Sequence, residues 1–278
     1  MKLLAIDGNS IMNRAFYGIK LLSNSKGFFT NAITGFMNIY LKELDIVKPD
    51  CVAVTFDLKA PTFRHIKVDS YKANRKGMPA ELHQQMPVIK KILTAMGIKI
   101  LEVEGYEADD ILGTLSRIYT ESGDECYILT GDRDSLQLVN NNVTVRLATT
   151  RETIVYTPNK IKEAYGLEPI QLIEVKALMG DSSDNISGVA GIGEKTALAL
   201  ISEHGSVEKL YENLDTAKLT PSVRTKLENG KDAAFQSKWL ATICKDVPVE
   251  QEACCYKISN IDNKTLSEIL TDLEMFKK

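Results

Sequence analysis

Four short apolar runs set the terms on which this chain can fold: Leu3-Leu4-Ala5-Ile6, Cys51-Val52-Ala53-Val54-Thr55-Phe56, Ile98-Lys99-Ile100-Leu101-Glu102-Val103 and Cys126-Tyr127-Ile128-Leu129-Thr130. Three of them are almost continuously apolar, the pattern of strands covered on both faces, as in a parallel sheet. Between the runs, residues 32–46, 81–96 and 107–121 carry apolar positions at helical spacing. Alternating strand and helix periods predict an α/β fold with a mostly parallel central sheet flanked by helices. Residues 143–149 and 153–156 read as a hairpin, with Arg151 and Glu152 near its turn. Beyond residue 157 the pattern changes to short helices, over 170–179, 194–203, 207–211, 222–228, 233–244 and 264–276. Thr157-Pro158 supplies an N-cap followed by proline at the first helical position. The expected division is an α/β core over residues 1–180 and a helical region over 181–278.

Composition narrows the classes. The 278 residues are 44% apolar, enough for a sizeable core, and the net charge of −3 excludes a histone-like polybasic protein. It does not exclude nucleic acid, since a local basic patch matters more than the total. Five cysteines form no CxxC pair, and Cys51 and Cys126 fall inside strand runs, as buried thiols of a reducing cytosol would. The N-terminal apolar run stops at Ile6, too short for a signal peptide, and no stretch is long enough to span a membrane.

The strand runs end on acid. Asp7, Asp57 and Asp132 sit at such ends or just past them, with Glu107, Asp109 and Asp110 opening a helix, Asp134 in the same loop as Asp132, and Asp181 and Asp184 near residue 180. In open α/β sheets, ligands bind beyond the carboxyl ends of the strands. Each acid has an ordinary reading as a helix cap, a turn residue or a complement to the helix dipole. Their joint placement favours one shared site. Two carboxylates about 5 Å apart repel by roughly 3 kcal/mol at an effective dielectric near 20. Such a cluster must therefore take up protons or cations. Oxygen ligands without His or Cys select hard ions, Mg²⁺ or Mn²⁺. Two oxygen clusters suggest two-metal hydrolysis of a phosphodiester. The histidines His65, His83 and His204 lie apart from the acid motifs in sequence.

From residue 59 to 99 the charge inverts: nine cations, among them Lys72 and Arg75, face only Asp69 and Glu81, with Phe63 and Tyr71 interleaved. That pattern suits a single strand of nucleic acid, held through phosphate contacts and stacking, although a solvated helix face reads the same way. Lys72 and Arg75 are three apart and can meet one phosphate, with Arg14 joining from the segment after the first strand. Gly188-Val-Ala-Gly191-Ile-Gly193-Glu-Lys195-Thr196 is no P-loop, because Glu194 interrupts the Gly-Lys-Thr order and no strand precedes it. It resembles a helix-hairpin-helix over about residues 184–205, in which backbone N–H groups and a helix N-terminus hold a phosphate.

Together these residues resemble the 5′-nuclease (flap endonuclease) family, and within it the 5′→3′ exonuclease domains of bacterial DNA polymerase I. The resemblance spans essentially the whole chain. It runs through Asp7-Gly-Asn, Asn13-Arg14-Ala-Phe-Tyr17, Phe56-Asp57, Tyr71-Lys72-Ala-Asn-Arg75, Glu107-Ala-Asp109-Asp110, Thr130-Gly-Asp132-Arg-Asp134, Leu178-Met-Gly-Asp181-Ser-Ser-Asp184-Asn and Gly191-Ile-Gly193-Glu-Lys195-Thr196. Ser187 and Ala190 depart from it, standing where relatives often carry proline. The resemblance implies a PIN-like 5′-nuclease fold and two Mg²⁺ or Mn²⁺ ions. Asp7, Asp57, Glu107, Asp109, Asp132 and Asp110 would serve the first; Asp134, Asp181 and Asp184 would serve the second, partly through water. Lys72 and Arg75 would steady the scissile phosphate in a helical arch over 59–99, with Arg14 beside them and Tyr71 stacking on a base. Gly188, Gly191, Gly193, Lys195 and Thr196 would grip duplex DNA, with a K⁺ on the hairpin carbonyls. The implied activity is 5′→3′ exonuclease and flap endonuclease cleavage in RNA-primer removal and DNA repair. The implied partner is branched, flapped or nicked DNA with a 5′ end. The implied setting is a monomer in the bacterial cytoplasm, at the nucleoid, free-standing or joined to a polymerase. The competing readings are a PIN-like metal-dependent ribonuclease and a junction-binding module without activity.

Overall fold

The structure, a computed structural model, describes residues 1–275. In chain order the elements are β1 (Lys2–Asp7), α1 (Gly8–Gly18), α2 (Asn31–Val47), β2 (Cys51–Thr55), α3 (Phe63–Lys67), α4 (Ala80–His83), α5 (Met86–Ala95), β3 (Lys99–Leu101), α6 (Ala108–Glu121), β4 (Glu125–Thr130), β5 (Val143–Ala148), β6 (Thr153–Tyr156), α7 (Pro158–Tyr165), α8 (Gln171–Met179), α9 (Glu194–His204), α10 (Val207–Glu212), α11 (Pro221–Asn229), α12 (Lys231–Ala241) and α13 (Asn263–Asp272). Of the helix expected over 264–276, Phe276 lies outside the described residues.

The six strands form one sheet in the order β3-β2-β1-β4-β5-β6. Only β6 runs antiparallel, paired with β5 through the expected hairpin. β1 and β2 are fully or almost fully buried along their length, which explains their unbroken apolar character. The registers Asp7↔Thr55 and Ile6↔Leu129 bring β1, β2 and β4 to their carboxyl ends at one edge of the sheet. Two apolar cores cover the faces, one under α6 and one under α1, α2 and α5.

One local element is added and one changes. The segment after β1 is a helix, α1, capped by Asp7, whose side chain accepts from Ser10 N. Its buried Ile11, Met12 and Ala15 carry the helical signal. Gly8 is needed there, because a Cβ at that position would lie 2.4 Å from the Phe56 ring. The helix expected over 81–96 is broken into α4 and α5. Pro87 starts α5, and the buried Gln85 at the break turns its Oε1 to the N–H groups of Ala32 and Ile33. It thereby satisfies two of the orphan donors that open α2.

Helices α8 to α12 enclose their own core, built on Leu178, Ile192, Leu200 and Leu227. The chain then returns. Ile243, Val247, Ala253 and Tyr256 enter the core under α6, Lys257 forms a bridge to Cys51, and Leu273 enters the other core beside α5. The expected division at residue 180 therefore does not divide the packing, because residues 243–273 belong to the α/β body. The basic insertion is also shorter than expected. The apolar face of α5, with Ile89, Ile92 and Leu93, is core, so only residues up to about 79 stand free of it.

Candidate active site

A cleft of about 270 Å³ opens at the carboxyl edge of the sheet, lined by Asp7, Asp57, Glu107, Asp109 and Asp132 together with Asn9, Asn13, Lys72 and Arg75. The first turn of α1 ties its walls together. Ser10 Oγ accepts from Gly131 N at 2.9 Å, Thr130 Oγ1 donates to Asp7 at 3.0 Å, and Asn9 Oδ1 accepts from Asp57 N at 3.2 Å. Asp57 in turn accepts from Ala108 N at 2.8 Å, at the start of α6. Sequence alone does not single out Asn9 or Ser10; their contacts to the adjacent strand ends identify them.

The cleft is short of positive charge. Burial, with Asp57 and Asp132 adding repulsion, pushes the Asp7 carboxyl up to about 7. Burial, then Asp110 and Glu107, raises Asp109 well above the ordinary carboxylate range. Asp109 Oδ1 is buried with no hydrogen-bond partner among the described residues. A buried carboxylate oxygen without a donor is what a cation site leaves when described as protein alone, so this donor set fits a hard divalent ion.

Asp110 is brought close but is otherwise engaged. Its oxygens accept from Arg64 Nη1 and Nη2, both at 2.8 Å, from Glu107 N at 3.1 Å and from Cys244 N at 2.7 Å. Glu107, Asp109 and Asp110 each place one oxygen within 4.8 Å of the others, yet all four acceptor positions of Asp110 are used and it does not line the cleft. In this arrangement it braces Arg64, the Glu107 N–H and the Cys244 N–H. Arg64, read from sequence as one cation of the basic insertion, is 2% exposed and also donates to Leu240 O and Thr242 O.

Tyr71 is a second correction. Its ring is 3% exposed, packs with Ile173, Ile186 and Leu240, and its hydroxyl donates to Glu107 at 3.0 Å, so it is turned away from any base. Phe63 likewise meets Trp239 edge-on. His65 lies nearer the acids than its sequence position implied, edge-on to Tyr71. Lys72 and Arg75 do reach the cleft. Lys72, in the left-handed region at φ 55°, donates to Glu107 at 2.6 Å, and Arg75 pairs with Asp184. Arg14 does not join them. It stands beside Gly131 and lines a separate cavity with Lys42 and Arg151.

The second acidic set is held by a residue that sequence reasoning missed. Lys176 of α8 pairs with Asp134, and with Asp181 at 2.6 Å. Burial pushes Asp181 up, but hydrogen bonds from Lys176 and Ser183 outweigh it and hold this carboxyl at about 2. Burial and the neighbouring Asp132 raise Asp134 to about 6. Asp184 belongs with Arg75 and Lys72 rather than with this pair.

The glycine hairpin is built as a close turn. Gly188 has φ +61°, its N–H donates to Ser237 Oγ, and a Cβ there would lie 2.2 Å from Gly180 N. The helix ahead of the turn is α8, which ends at Met179, and residues 184–193 contain no helix. Gly193 caps α9 without a side-chain acceptor, Lys195 is exposed, and Thr196 is half-buried. Gly191 O accepts from Lys226 Nζ at 3.1 Å.

Comparison with known proteins decides the family. Residues 2–166 match the 5′-3′ exonuclease N-terminal resolvase-like domain, and residues 167–264 match the 5′-3′ exonuclease C-terminal SAM fold. This chain belongs to the 5′-3′ exonuclease family. DNA polymerase I of Caldicellulosiruptor bescii is 47% identical over 278 residues, covering 99% of this chain and 32% of that protein. DNA polymerase I of Bacillus subtilis is 45% identical over 276 residues, covering 98% and 31%. The chain thus spans about a third of the length of these relatives. Among solved structures, the bacteriophage T5 flap endonuclease in complex with DNA and metal ions superposes with a TM-score of 0.72 at 22% identity, covering 99% of this chain and 100% of that one. The fold of the exonuclease family is therefore the fold described above. No helix among the described residues is long and apolar enough to cross a membrane.

Proposed function

We propose that this chain is a divalent-metal-dependent 5′ nuclease, a 5′→3′ exonuclease and flap endonuclease acting on DNA with a 5′ end at a flap, nick or branch. The observation that carries the reading is the convergence of Asp7, Asp57, Glu107, Asp109 and Asp132 on one cleft whose other wall holds Lys72 and Arg75. These five carboxylates would hold one ion, and Asp134 and Asp181 would hold a second, with Asp184 contributing once substrate phosphate draws Arg75 and Lys72 from it. When bound, the ions lower the pKa of an attacking water and stabilise the leaving 3′-oxygen.

The protein's own groups set the rest. Lys72 and Arg75 are aimed into the cleft by a turn of the insertion, where their charge meets the non-bridging oxygens of a phosphodiester. Both now neutralise carboxylates, Glu107 and Asp184, so substrate phosphate takes over cations that are already in place. The uncapped N-terminus of α9 and the hairpin before it present backbone N–H groups to a duplex phosphate regardless of sequence. The hairpin carbonyls would also serve a K⁺, although Gly191 O now accepts from Lys226. Mg²⁺ is the expected ion, with Mn²⁺ substituting. That the relatives are DNA polymerases I of which this chain covers about a third supports a unit working beside a polymerase in primer removal and repair, as a monomer in the cytoplasm at the nucleoid.

The test is cleavage of a 5′-flapped duplex with and without Mg²⁺. Cutting near the junction that leaves 5′-phosphate and 3′-hydroxyl ends, and that stops in EDTA, is expected. Equal cutting in EDTA, or cutting only from 3′ ends, rejects the reading. Faster cleavage of single-stranded RNA than of flap DNA would favour a PIN-like ribonuclease instead.

A further inference from the structure

Lys176 has no role in the cleavage chemistry just described, yet it occupies the centre of the second acidic set. Its side chain is 18% exposed, and those of its two partners, Asp134 and Asp181, are 18% and 16% exposed. The three residues come from three stretches of chain: the loop after β4, the body of α8, and the turn past Gly180. This is not a surface lysine settling on a convenient neighbour. Lys72 and Arg75 serve Glu107 and Asp184, so Lys176 alone separates Asp134 from Asp181 in the described contacts.

We propose that Lys176 is a built-in counter-cation that holds the place of the second divalent ion between Asp134 and Asp181 and is displaced when that ion binds. The inference rests on the two-ion reading of the site. An ammonium satisfies the pair as a point charge through its N–H donors. It offers no coordination that would resist exchange for a doubly charged ion. Room for the displaced side chain lies alongside. A cavity of about 150 Å³ adjoins Lys176 and Asp134, lined by Leu136, Ile173 and Leu198, by one further carboxylate, Glu194, and by one further cation, Arg133. The apolar wall suits the four-carbon stem, and Glu194 gives the ammonium a second partner. The consequence is a graded site. The metal-free protein avoids two facing bare carboxylates, and the second ion binds more weakly than the first because it must displace an ammonium shared by two of its carboxylates, whereas in the first set Lys72 engages Glu107 alone of five.

The experiment is a Mn²⁺ titration of the full chain without DNA, read by electron paramagnetic resonance. The wild type is expected to bind one ion more tightly and one more weakly. Lys176→Met should tighten the weaker binding by about ten-fold, because the competing charge is gone. Lys176→Arg should keep it weak. Adding Asp134→Asn to Lys176→Met should abolish the gain, which assigns it to this set. In EDTA, Lys176→Met should unfold at lower temperature than the wild type. A lysine that merely braces the fold would lower stability while leaving Mn²⁺ affinity unchanged or weaker, and that outcome overturns the proposal. If the wild type binds two ions and Lys176→Met binds the second no better, only the role of Lys176 falls. If neither protein binds a second ion, the two-ion reading falls with it.

Discussion

Asp109 and Asp110 are neighbours on α6, and the structure gives substitutions at the two opposite effects. Asp110→Asn keeps the shape of the side chain but removes its charge. It also puts an NH₂ where an acceptor stood. Arg64, 2% exposed, then keeps Glu107 as its carboxylate partner and loses the paired contacts to Asp110, while Cys244 N can lose its acceptor. Removing one partner of a buried ion pair costs about 3–5 kcal/mol. For a chain of this size that corresponds to a fall in melting temperature of roughly 6–20 °C. Asp109→Asn should do the reverse in the absence of metal. Its carboxylate has a buried oxygen without a donor and is raised by burial and by two acidic neighbours, so neutralising it relieves repulsion. The assay is thermal unfolding of wild type and both variants in EDTA and again in excess Mg²⁺. In EDTA, Asp110→Asn should melt well below the wild type and Asp109→Asn at or above it. In Mg²⁺, the wild type should gain by binding linkage, while Asp109→Asn should gain much less. An Asp110→Asn protein that melts within about 2 °C of the wild type in EDTA, yet loses its response to Mg²⁺, would show Asp110 to be a ligand and refute this reading.

Three further outcomes are expected. Asp132→Ala should lower the cleavage rate by about 10³-fold or more, while flap DNA binding measured in Ca²⁺ stays within a few-fold. Lys72→Ala should slow single-turnover cleavage by about 10²-fold with Mn²⁺ binding undiminished; near-normal turnover would remove Lys72 from the chemistry. In EDTA, stability should fall as pH rises from about 4 to about 7. Asp7 is raised to about 7, so in that window the folded protein holds a proton that the unfolded chain has released, and the stabilisation present at low pH is lost by about 4 kcal/mol. Asp134, raised to about 6, acts in the same direction, whereas Asp181, held at about 2, contributes in the opposite sense and only below the ordinary carboxylate range. Denaturant midpoints across this range that stay flat, or rise, in EDTA would contradict the assignment.

The carboxyl edge was legible because a parallel sheet converts sequence position into spatial position. Runs that end on Asp7, Asp57 and Asp132 must end at one edge once they lie parallel and in register. What stayed hidden depends on contacts across long separations. Nothing near Asp110 announces Arg64, 46 positions away, whose guanidinium engages this acid at the opening of the helix. Lys176 lies between apolar Val175 and Ala177 on α8 and takes its meaning from Asp134, which another element delivers, and from Asp181 past the end of the helix. Tyr71 and Phe63 differ from expectation for another reason, since alternation of basic and aromatic residues does not say which way a ring points: Tyr71 is buried and the half-buried Phe63 packs on Trp239. The split between α4 and α5 was visible in Pro87, but the buried duty of Gln85 was not.

The return of the chain onto the α/β body has a consequence for the order in which the protein is made. The helical unit on Leu178, Ile192 and Leu227 is closed by residues close in sequence and can consolidate as it emerges. The sheet cannot. Its two faces wait for Ile243, Val247 and Tyr256 on one side and for Leu273 on the other. At about 5–20 residues per second, roughly 5–20 s separate synthesis of the last strand from that of its final cover. During that interval a nascent chain carries an acid-edged sheet whose faces are met by α1, α2, α5 and α6 but lack this last cover, and Arg64 lacks the carbonyls of Leu240 and Thr242. The acidic cleft is therefore completed last, although most of its acids are encoded first.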